Sequence, residues 1–320
     1  MKKIQLNSFA KINLSLDVLG VLDNGFHLVD MVMQQILLCD DILIKWKDEP
    51  QDQSIQINVS TNRYFLPTDE RNLAYKAALL MADKYGDNRS GKVTIDIMKR
   101  IPVAAGLAGG SGNAAAVLHG LNILWGLELS MKELIETGEQ LGSDVPFCVM
   151  GQAAADNTLK PRFLGDPLAC HCALATGTGT TLKPLKKGLR SHLVLSKPPL
   201  SVSTATVYKG IDSMIIDRHP DNNELVNALS SGSMKLVRKN MINVLENFTL
   251  TQYPIVKQTK MKLESLCGAD NVLMSGSGPA VFGLCENIRR SRQICDDMLK
   301  LNRESFWTRN VVIKINFYFR

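Results

Sequence analysis

The sequence predicts an α+β protein built from two lobes. Stretches of alternating polar and apolar residues dominate the first hundred positions, helical patterns follow them, and both kinds of element mix in the second half. We place the boundary near residues 165–190 and divide the chain into lobes 1–175 and 176–320. With 320 residues, of which 45% are hydrophobic and 21% charged, the composition is that of a globular protein with one large domain or two.

Four alternating stretches predict strands in the first lobe. Apolar residues recur at every second position around residues 12–18, 42–46, 55–59 and 93–97. This period is typical of strands with one buried face, so we expect a largely antiparallel sheet.

Three helices are predicted between and after these strands. "ERNLAYKAALLMADKYG" has one apolar helical face and ends at Gly86. A second helix follows the glycine cluster and runs to about Gly126. The third, "SMKELIETGEQLG", begins with Ser130 and Glu133 in the spacing of a capping box, and Gly142 is its predicted end.

The second half mixes strands and short helices. "SHLVLSKPP" predicts a strand, and short helices are predicted over residues 204–209, 223–229 and 234–241. "YPIVKQTKMKLESLCG" predicts a longer amphipathic helix, and "NVLMSGSGPAVFGLC" predicts two strands about an "SGSG" turn. A helix near residues 286–301 and the alternating strand "NVVIKINFYF" complete the chain.

Charge and hydropathy exclude few classes of protein. The net charge of +6 fits anionic small molecules as well as a nucleic acid, because the basic residues are mostly scattered. No apolar run is long enough for a signal peptide or a membrane span, so we expect a cytoplasmic protein. Seven cysteines without a secretory signal favour reduced thiols. In "CHC", residues 170–172, free thiols in a loop are favoured over a metal site, since no nearby motif completes four ligands.

The glycine cluster "IPVAAGLAGGSGNAAAVLHGLN" admits two interpretations. It is not a Walker loop, because the Lys and Ser/Thr after the last glycine are missing. Its glycines still let backbone amides converge at the start of a helix, where the helix dipole favours an anion. The alternative is that the glycines only permit close packing of strand and helix.

Four further residues carry possible chemistry, and each has an ordinary structural alternative. Lys11 lies in a strand with apolar neighbours, and alone it is consistent with a side chain facing solvent. Asp144 follows a helix end and precedes Pro146, the position of a helix N-cap. His27 and Phe26 lie in a predicted turn, where a paired histidine and a core phenylalanine are the simpler interpretations.

The order of these motifs resembles the GHMP kinase superfamily over nearly the whole chain. "AKIN", the glycine-rich segment and "SGSGP" resemble its three short motifs. "GFH" and "LGSDVPF", together with "ALATGTG" and "NVLENFTL", resemble the members that phosphorylate a cytidine-diphosphate-linked methylerythritol. The resemblance implies a ribosomal-protein-like N-terminal lobe and a ferredoxin-like C-terminal lobe.

The resemblance also implies an activity and its catalytic residues. ATP and Mg²⁺ would phosphorylate the C2 hydroxyl of the methylerythritol unit, in the non-mevalonate route to isoprenoid precursors. Asp144 would accept the hydroxyl proton and Lys11 would stabilise charge beside it. Two alternatives stay open: another small-alcohol kinase of the homoserine or mevalonate type, and a nucleotide-binding relative without turnover.

The implied binding residues fall into three groups. Asn13, Phe26 and His27 would contact the cytidine substrate, whereas Asn72 and Lys99 would lie near adenine. Gly276, Ser277 and Gly278 would close behind the phosphates. The ATP loop would comprise Pro102, Val103, Ala104, Ala105, Gly106, Leu107, Ala108, Gly109, Gly110, Ser111 and Gly112.

Two departures from the family pattern stand out. Gly112 occupies a place where a Ser or Thr hydroxyl is common, and that hydroxyl is a candidate contact to phosphate or metal. Residues 152–172 do not match, and they form either a surface insertion or an altered stretch beside the pocket. The metal ligands are not assigned. The resemblance further implies a small-molecule substrate, no nucleic-acid or membrane partner, and a monomer or homodimer.

Overall fold

Two separate sheets organise the chain, and the α+β class predicted from the sequence is confirmed. The structure is a computed structural model that describes residues 1–50, 54–87 and 89–311. The first sheet contains β1 (Lys2–Val21), β2 (His27–Asp48), β3 (Gln56–Thr61), β4 (Gly91–Met98), β5 (Cys172–Thr176) and β6 (Thr181–Pro184). The second contains β7 (His192–Lys197), β8 (Val272–Met274), β9 (Val281–Cys285) and β10 (Glu304–Arg309).

The first sheet is antiparallel except at one edge. Its order is β3-β4-β2-β5-β6, with β1 also paired to β2, and only β3 and β4 run parallel among its described pairs. The prediction of a largely antiparallel sheet is therefore confirmed. Because β6 still pairs with β5, this sheet extends past residue 175, and the division into lobes at that residue stays a prediction.

Four helices of the first half cover or flank this sheet. They are α1 (Leu73–Tyr85), α2 (Gly109–Trp125), α3 (Met131–Glu139) and α4 (Val145–Ala155). The capping box of Ser130 and Glu133 is confirmed. The predicted end of α3 at Gly142 was wrong: the helix ends at Glu139, because the Leu141 amide already turns back to the Gly138 carbonyl (3.0 Å) before the chain enters α4.

The second half supplies six helices and the second sheet. The helices are α5 (Thr204–Ile211), α6 (Asn222–Ser231), α7 (Met234–Asn240), α8 (Glu246–Gln252), α9 (Pro254–Cys267) and α10 (Ile288–Leu299). The order β10-β7-β9-β8 and the antiparallel pairing of β8 with β9 confirm the two strands about the "SGSG" turn. Sequence patterns missed α8 and β10, and most of the predicted last strand lies outside the described residues.

Strand β1 joins the two halves. Its Leu16 amide donates to the Ile242 carbonyl (2.9 Å), and the Val244 amide donates to the Leu16 carbonyl (2.9 Å). Both faces of β1 are consequently buried: Ile12 and Leu14 are fully enclosed, and so is Asn13 on the opposite face. This junction places the middle of β1 at the boundary between the halves, where the candidate site forms.

Candidate active site

A cavity of about 750 Å³ opens between the two halves of the molecule. Its walls come from β1, β2, the starts of α2 and α4, helix α5 and the turn between β8 and β9. Nine residues predicted from the sequence line it: Lys11, Asn13, Phe26, His27, Gly106, Ser111, Asp144, Gly276 and Ser277. The other predicted residues lie outside this lining, most of them within or behind the glycine loop.

Lys11 and Asp144 face each other across the cavity floor. The Lys11 side chain is only 6% exposed, and its Nζ lies 3.6 Å from Asp144 Oδ2 and donates to Asn13 Oδ1 at 2.8 Å. The solvent-facing interpretation of Lys11 was therefore wrong. Asp144 does occupy the N-cap position of α4, but its side chain makes no capping hydrogen bond and is 32% exposed. Its carboxylate is thus available to a molecule in the cavity.

The glycine loop presents the start of α2 to the same space. Ala108, at the N-cap, has a positive φ of 54° and no side-chain capping bond. The first amides of a helix lack acceptors within it, so those of Gly109, Gly110 and Ser111 form the positive end of the α2 dipole. The Lys11 amide donates to the Leu107 carbonyl (3.1 Å), which ties the loop to the strand that carries the lysine.

The loop also contacts the "SGSG" turn directly. Ser275 Oγ donates to the Gly106 carbonyl (2.9 Å). Gly106 has φ +72°, and a Cβ there would lie 2.1 Å from the Ser275 carbonyl oxygen. Only glycine fits this contact, so the second and third motifs of the sequence pack directly against each other at Gly106.

Gly112 points away from the cavity. A Cβ at Gly112 would lie 2.6 Å from Ser8 Oγ and 3.3 Å from the Phe9 carbonyl oxygen, both on β1. A side chain at this position would therefore enter the packing between α2 and β1. The hydroxyl that family loops often carry here would not face the loop mouth, and in this chain Ser8 occupies that space.

We expect Gly112→Ser to destabilise the protein. Overpacking against Ser8 typically costs about 1–3 kcal/mol of the free energy of unfolding. Adding Ser8→Ala removes the hydroxyl that clashes, so the double variant should recover most of the loss. Urea unfolding of the two single variants and the double variant measures the coupling. Additive losses would contradict the steric explanation.

Two residues expected near adenine are engaged elsewhere. Asn72 caps α1: its Oδ1 accepts from the Ala74 amide (2.9 Å) and its Nδ2 donates to the Pro67 carbonyl (2.8 Å). Lys99 is buried, and its Nζ donates to Asp40 Oδ2 (2.5 Å) and Asn113 Oδ1 (3.2 Å). Burial lowers the pKa of Lys99, and the Asp40 carboxylate opposes that shift. Lys99 lies beside the loop, since its Nζ is 2.9 Å from where a Gly109 Cβ would be.

An aromatic and histidine group forms the far end of the cavity. His27 Nε2 lies 2.8 Å from Asp212 Oδ1, and its ring centroid is 4.9 Å from that of Tyr208. Burial and then the charge of Asp144 raise the pKa of the Tyr208 hydroxyl, which therefore stays neutral. Phe26 is 57% exposed rather than part of the core. The planar rings and the histidine suit a flat heterocycle.

Sequence reasoning missed several residues of this site. Tyr208, Asp212 and Thr204 belong to α5 or its end, and they line the cavity. Thr204 Oγ1 lies 3.0 Å from Ser277 Oγ. No spacing within residues 200–208 predicts that α5 folds over the cavity.

Asn243 holds the "SGSG" turn from behind. It is 2% exposed, and its Nδ2 donates to the carbonyls of Met274 (2.9 Å) and Gly276 (2.7 Å). The neighbouring Glu246 accepts from the Met274 amide (2.8 Å). The motif "NVLENF" was the available signal, but its role depends on contacts about 30 residues away along the chain.

We expect Asn243→Leu to lower the free energy of unfolding by roughly 2 kcal/mol or more. The substitution leaves two buried carbonyls without their donor, and each typically costs about 1–3 kcal/mol. Asn247→Leu is the control: Asn247 is exposed, and its side chain donates to the Val244 carbonyl. The free energy of unfolding of Asn247→Leu should fall by about 1 kcal/mol or less. Equal losses in urea unfolding would contradict the assigned role.

Residues 152–172 are buried at both ends, whereas most residues from 157 to 167 are exposed. Their first residues complete α4, Leu159 lies in the core with 0% exposure, and Asp156 Oδ2 accepts from the Asn7 amide (2.8 Å). In "CHC", the loop prediction was wrong for Cys172, which begins β5 by pairing with Gln34. Burial raises the pKa of Cys170 to about 12 and lowers that of His171 to about 4.

The described part of the chain has neither a cluster of metal-binding side chains nor a membrane-spanning helix. There, no group of three or more His, Cys, Asp and Glu side chains is arranged to hold a metal ion. Within the same residues, no helix has both the length and the apolar character needed to cross a bilayer.

Known proteins resemble this chain in both sequence and fold. The families "GHMP kinases N terminal domain" and "GHMP kinases C terminal" match residues 72–152 and 225–302. The chain is 42% identical over 305 residues to the 4-diphosphocytidyl-2-C-methyl-D-erythritol kinase of Alkaliphilus metalliredigens, covering 95% of this chain and 96% of the relative. The kinase of the same name from Clostridium kluyveri is 43% identical over 307 residues, covering 96% and 99%.

Solved structures agree with these matches. A crystal structure of 4-(cytidine 5'-diphospho)-2C-methyl-D-erythritol kinase aligns with a TM-score of 0.75 at 27% identity, covering 97% of this chain and 100% of that chain. Homoserine kinase from Cytophaga hutchinsonii aligns with a TM-score of 0.70 at 18% identity, covering 98% and 95%, and shares the fold.

Proposed function

The chain belongs to the GHMP kinases, in the family of 4-diphosphocytidyl-2-C-methyl-D-erythritol kinases, and from this premise we propose how its cavity performs the reaction. The γ-phosphoryl group of ATP is transferred to the C2 hydroxyl of 4-diphosphocytidyl-2-C-methyl-D-erythritol, a step of non-mevalonate isoprenoid synthesis. One observation carries the proposal. Lys11 and Asp144 lie 3.6 Å apart in a cavity lined by loop residues Gly106 and Ser111 and, at its other end, by His27.

The transfer needs one proton acceptor and a site that stabilises charge. The C2 oxygen forms a bond to the γ-phosphorus while the bond between that phosphorus and the β–γ bridging oxygen breaks, leaving ADP. Asp144 accepts the hydroxyl proton. The Lys11 ammonium stabilises negative charge on the attacking oxygen. Asn13 holds the ammonium in place through its Oδ1 (2.8 Å).

The nucleotide phosphates bind at the glycine loop. The amides at the start of α2 and the positive end of its dipole favour an anion, and the Gly276–Gly278 turn closes the opposite side. Asn72 and Lys99 remain our candidates near adenine. Because their side chains already bond to protein groups, we propose that they shape that pocket by supporting α1 and the loop.

The cytidine group binds at the opposite end, against Phe26, His27 and Tyr208. The Asp212 carboxylate engages Nε2 of His27, which leaves Nδ1 as the nitrogen that can face a base. Phe26 offers an exposed ring for stacking. This arrangement directs the methylerythritol unit, which lies at the diphosphate end of the substrate, toward Asp144.

Mg²⁺ fits the donor set if the nucleotide supplies most of its ligands. This ion usually binds phosphate oxygens and water together with only one or two protein groups. The Ser111 hydroxyl lines the cavity and can serve as one of those groups. When bound, the ion neutralises charge on the phosphoryl oxygens. The chain's own residues position the hydroxyl and accept its proton.

We further propose that the enzyme acts in the cytoplasm, where ATP is available, on a free small molecule rather than on a nucleic acid or a membrane. A monomer or a homodimer satisfies this function, because all the residues proposed for the reaction come from one chain. Size-exclusion chromatography with light scattering distinguishes the two states.

A coupled assay of ADP release tests the function. We expect turnover with 4-diphosphocytidyl-2-C-methyl-D-erythritol and none with homoserine or mevalonate under the same conditions. Turnover with homoserine or mevalonate alone would reassign the substrate within the GHMP kinases. Nucleotide binding without turnover on any of the three would contradict the assignment of Lys11 and Asp144 as catalytic.

A further inference from the structure

A second cavity, of about 570 Å³, lies at the other end of the second sheet. Residues at the start of β7 and after β9 line it, whereas the active-site turn leaves β8 and enters β9 at the opposite end of the same strands. The two linings share no residue. Whatever binds in this second cavity therefore does not enter the catalytic space.

Four arginines from four places in the chain converge on this space, which we call the arginine cavity. Arg190 precedes β7, Arg238 lies in α7, Arg290 lies in α10 and Arg309 ends β10. Glu286 is the one acidic side chain in the same lining. The four arginines are spread over more than a hundred positions of the sequence. Their positive charges are therefore brought together only in the folded chain.

These charges lack the usual carboxylate partners. Across the described residues, none of the four arginines forms an ion pair with an acidic side chain. Arg290 donates only to neutral oxygens, the Leu266 carbonyl (2.9 Å) and Gln293 Oε1 (3.1 Å). Arg190, Arg238 and Arg309 are exposed. Four guanidinium groups with a single carboxylate among them still carry excess positive charge and repel one another, and an anion would relieve that repulsion.

We propose that the arginine cavity binds a small anion carrying a diphosphate group. Guanidinium groups bind phosphate oxygens in bidentate pairs, and several of them around one concave space match more than one phosphate. The volume lies within the range of small-molecule sites, about 300–1,000 Å³, and exceeds what a single inorganic ion fills. This site is additional to the kinase reaction and does not depend on it.

Isothermal titration with inorganic pyrophosphate tests the proposal. The glycine loop can also bind pyrophosphate. Binding is therefore compared between the wild type and arginine variants, all of which keep the same loop. We expect two pyrophosphate ions per wild-type chain. Arg238→Gln/Arg309→Gln should weaken one of the two sites by about tenfold or more, because two charged contacts are lost. Turnover should be unchanged, since neither arginine lines the catalytic cavity.

The matched control is Arg162→Gln/Arg303→Gln. Both of these arginines are exposed and lie outside the arginine cavity, so the change in net charge is the same. This variant should bind like the wild type. Identical isotherms for the wild type and Arg238→Gln/Arg309→Gln would overturn the proposal, as would equal weakening in the control.

A parallel titration with ADP distinguishes two sources of the diphosphate. If Arg238→Gln/Arg309→Gln, but not the control, binds both ADP and pyrophosphate more weakly, the site is supported and is assigned to nucleotides. If the same variant binds only pyrophosphate more weakly, the site is supported and is assigned to a diphosphate without a base. Binding of RNA or an acidic peptide to the wild type, with no second pyrophosphate site, would contradict a small-anion site.

Discussion

Asp144→Asn is expected to lower kcat by about 10²–10⁴-fold, because the variant keeps the shape of the side chain but cannot accept the hydroxyl proton. The KM values should change little, since the glycine loop and the His27 end of the cavity remain intact. Stability should also change little: the Asp144 side chain is 32% exposed and does not cap α4. Steady-state kinetics with both substrates, and urea unfolding, measure these effects.

A remote ion pair provides the control for Asp144. Asp96 pairs with Lys45 at 2.7 Å on the surface of the first sheet, so Asp96→Asn removes the same type of carboxylate beside a lysine. That variant should keep the wild-type kcat. If Asp144→Asn also keeps a kcat near that of the wild type, Asp144 is not the proton acceptor, and catalysis would rest on positioning and charge alone.

Gly106→Ala is expected to lower kcat/KM for ATP by roughly 10²-fold or more. A Cβ at this position would lie 2.1 Å from the Ser275 carbonyl oxygen, so the loop and the "SGSG" turn must separate. Misplacement of catalytic groups by about 1 Å can cost roughly 10²-fold in rate. The free energy of unfolding should also fall, because alanine at a φ of +72° adds backbone strain of about 1–2 kcal/mol.

Gly126→Ala separates the strain from the clash. Gly126 has φ +63°, but nothing lies within 4 Å of a Cβ placed there. Both variants therefore introduce alanine into the left-handed region, and only Gly106→Ala displaces the turn. Gly126→Ala should lose stability but keep the wild-type kcat/KM. Equal kinetic losses in the two variants would show that general destabilisation, not the contact with Ser275, explains the effect.

Sequence patterns predicted most local structure because that structure depends on neighbouring residues. The capping box of Ser130 and Glu133, the alternating strands and the pair of strands about "SGSG" all follow from spacing within ten or fifteen positions. Where two local signals competed, the prediction failed. Gly142 can end a helix, but the turn into α4 had already ended α3 at Glu139.

The burial of charged residues was not predictable in the same way. Alternation placed Lys11 and Asn13 on the face opposite Ile12, but it could not reveal that the second half of the chain covers that face too. The resemblance placed Lys99 near adenine, but no local pattern revealed that its ammonium donates to Asp40, 59 positions away. The burial and the partners of such residues depend on contacts between distant segments, which the periodicity of apolar residues does not reveal.

The sequence by itself determined the two-lobed α+β class, the position of the glycine loop before a helix and the residue types available for phosphoryl transfer, because glycine torsions and strand periods act locally. Only the tertiary structure decided that Lys11 and Asp144 meet, that Gly112 packs against Ser8 and that four arginines surround a second cavity. Each of these features is a contact between segments far apart in the sequence, so it forms only when the whole molecule packs.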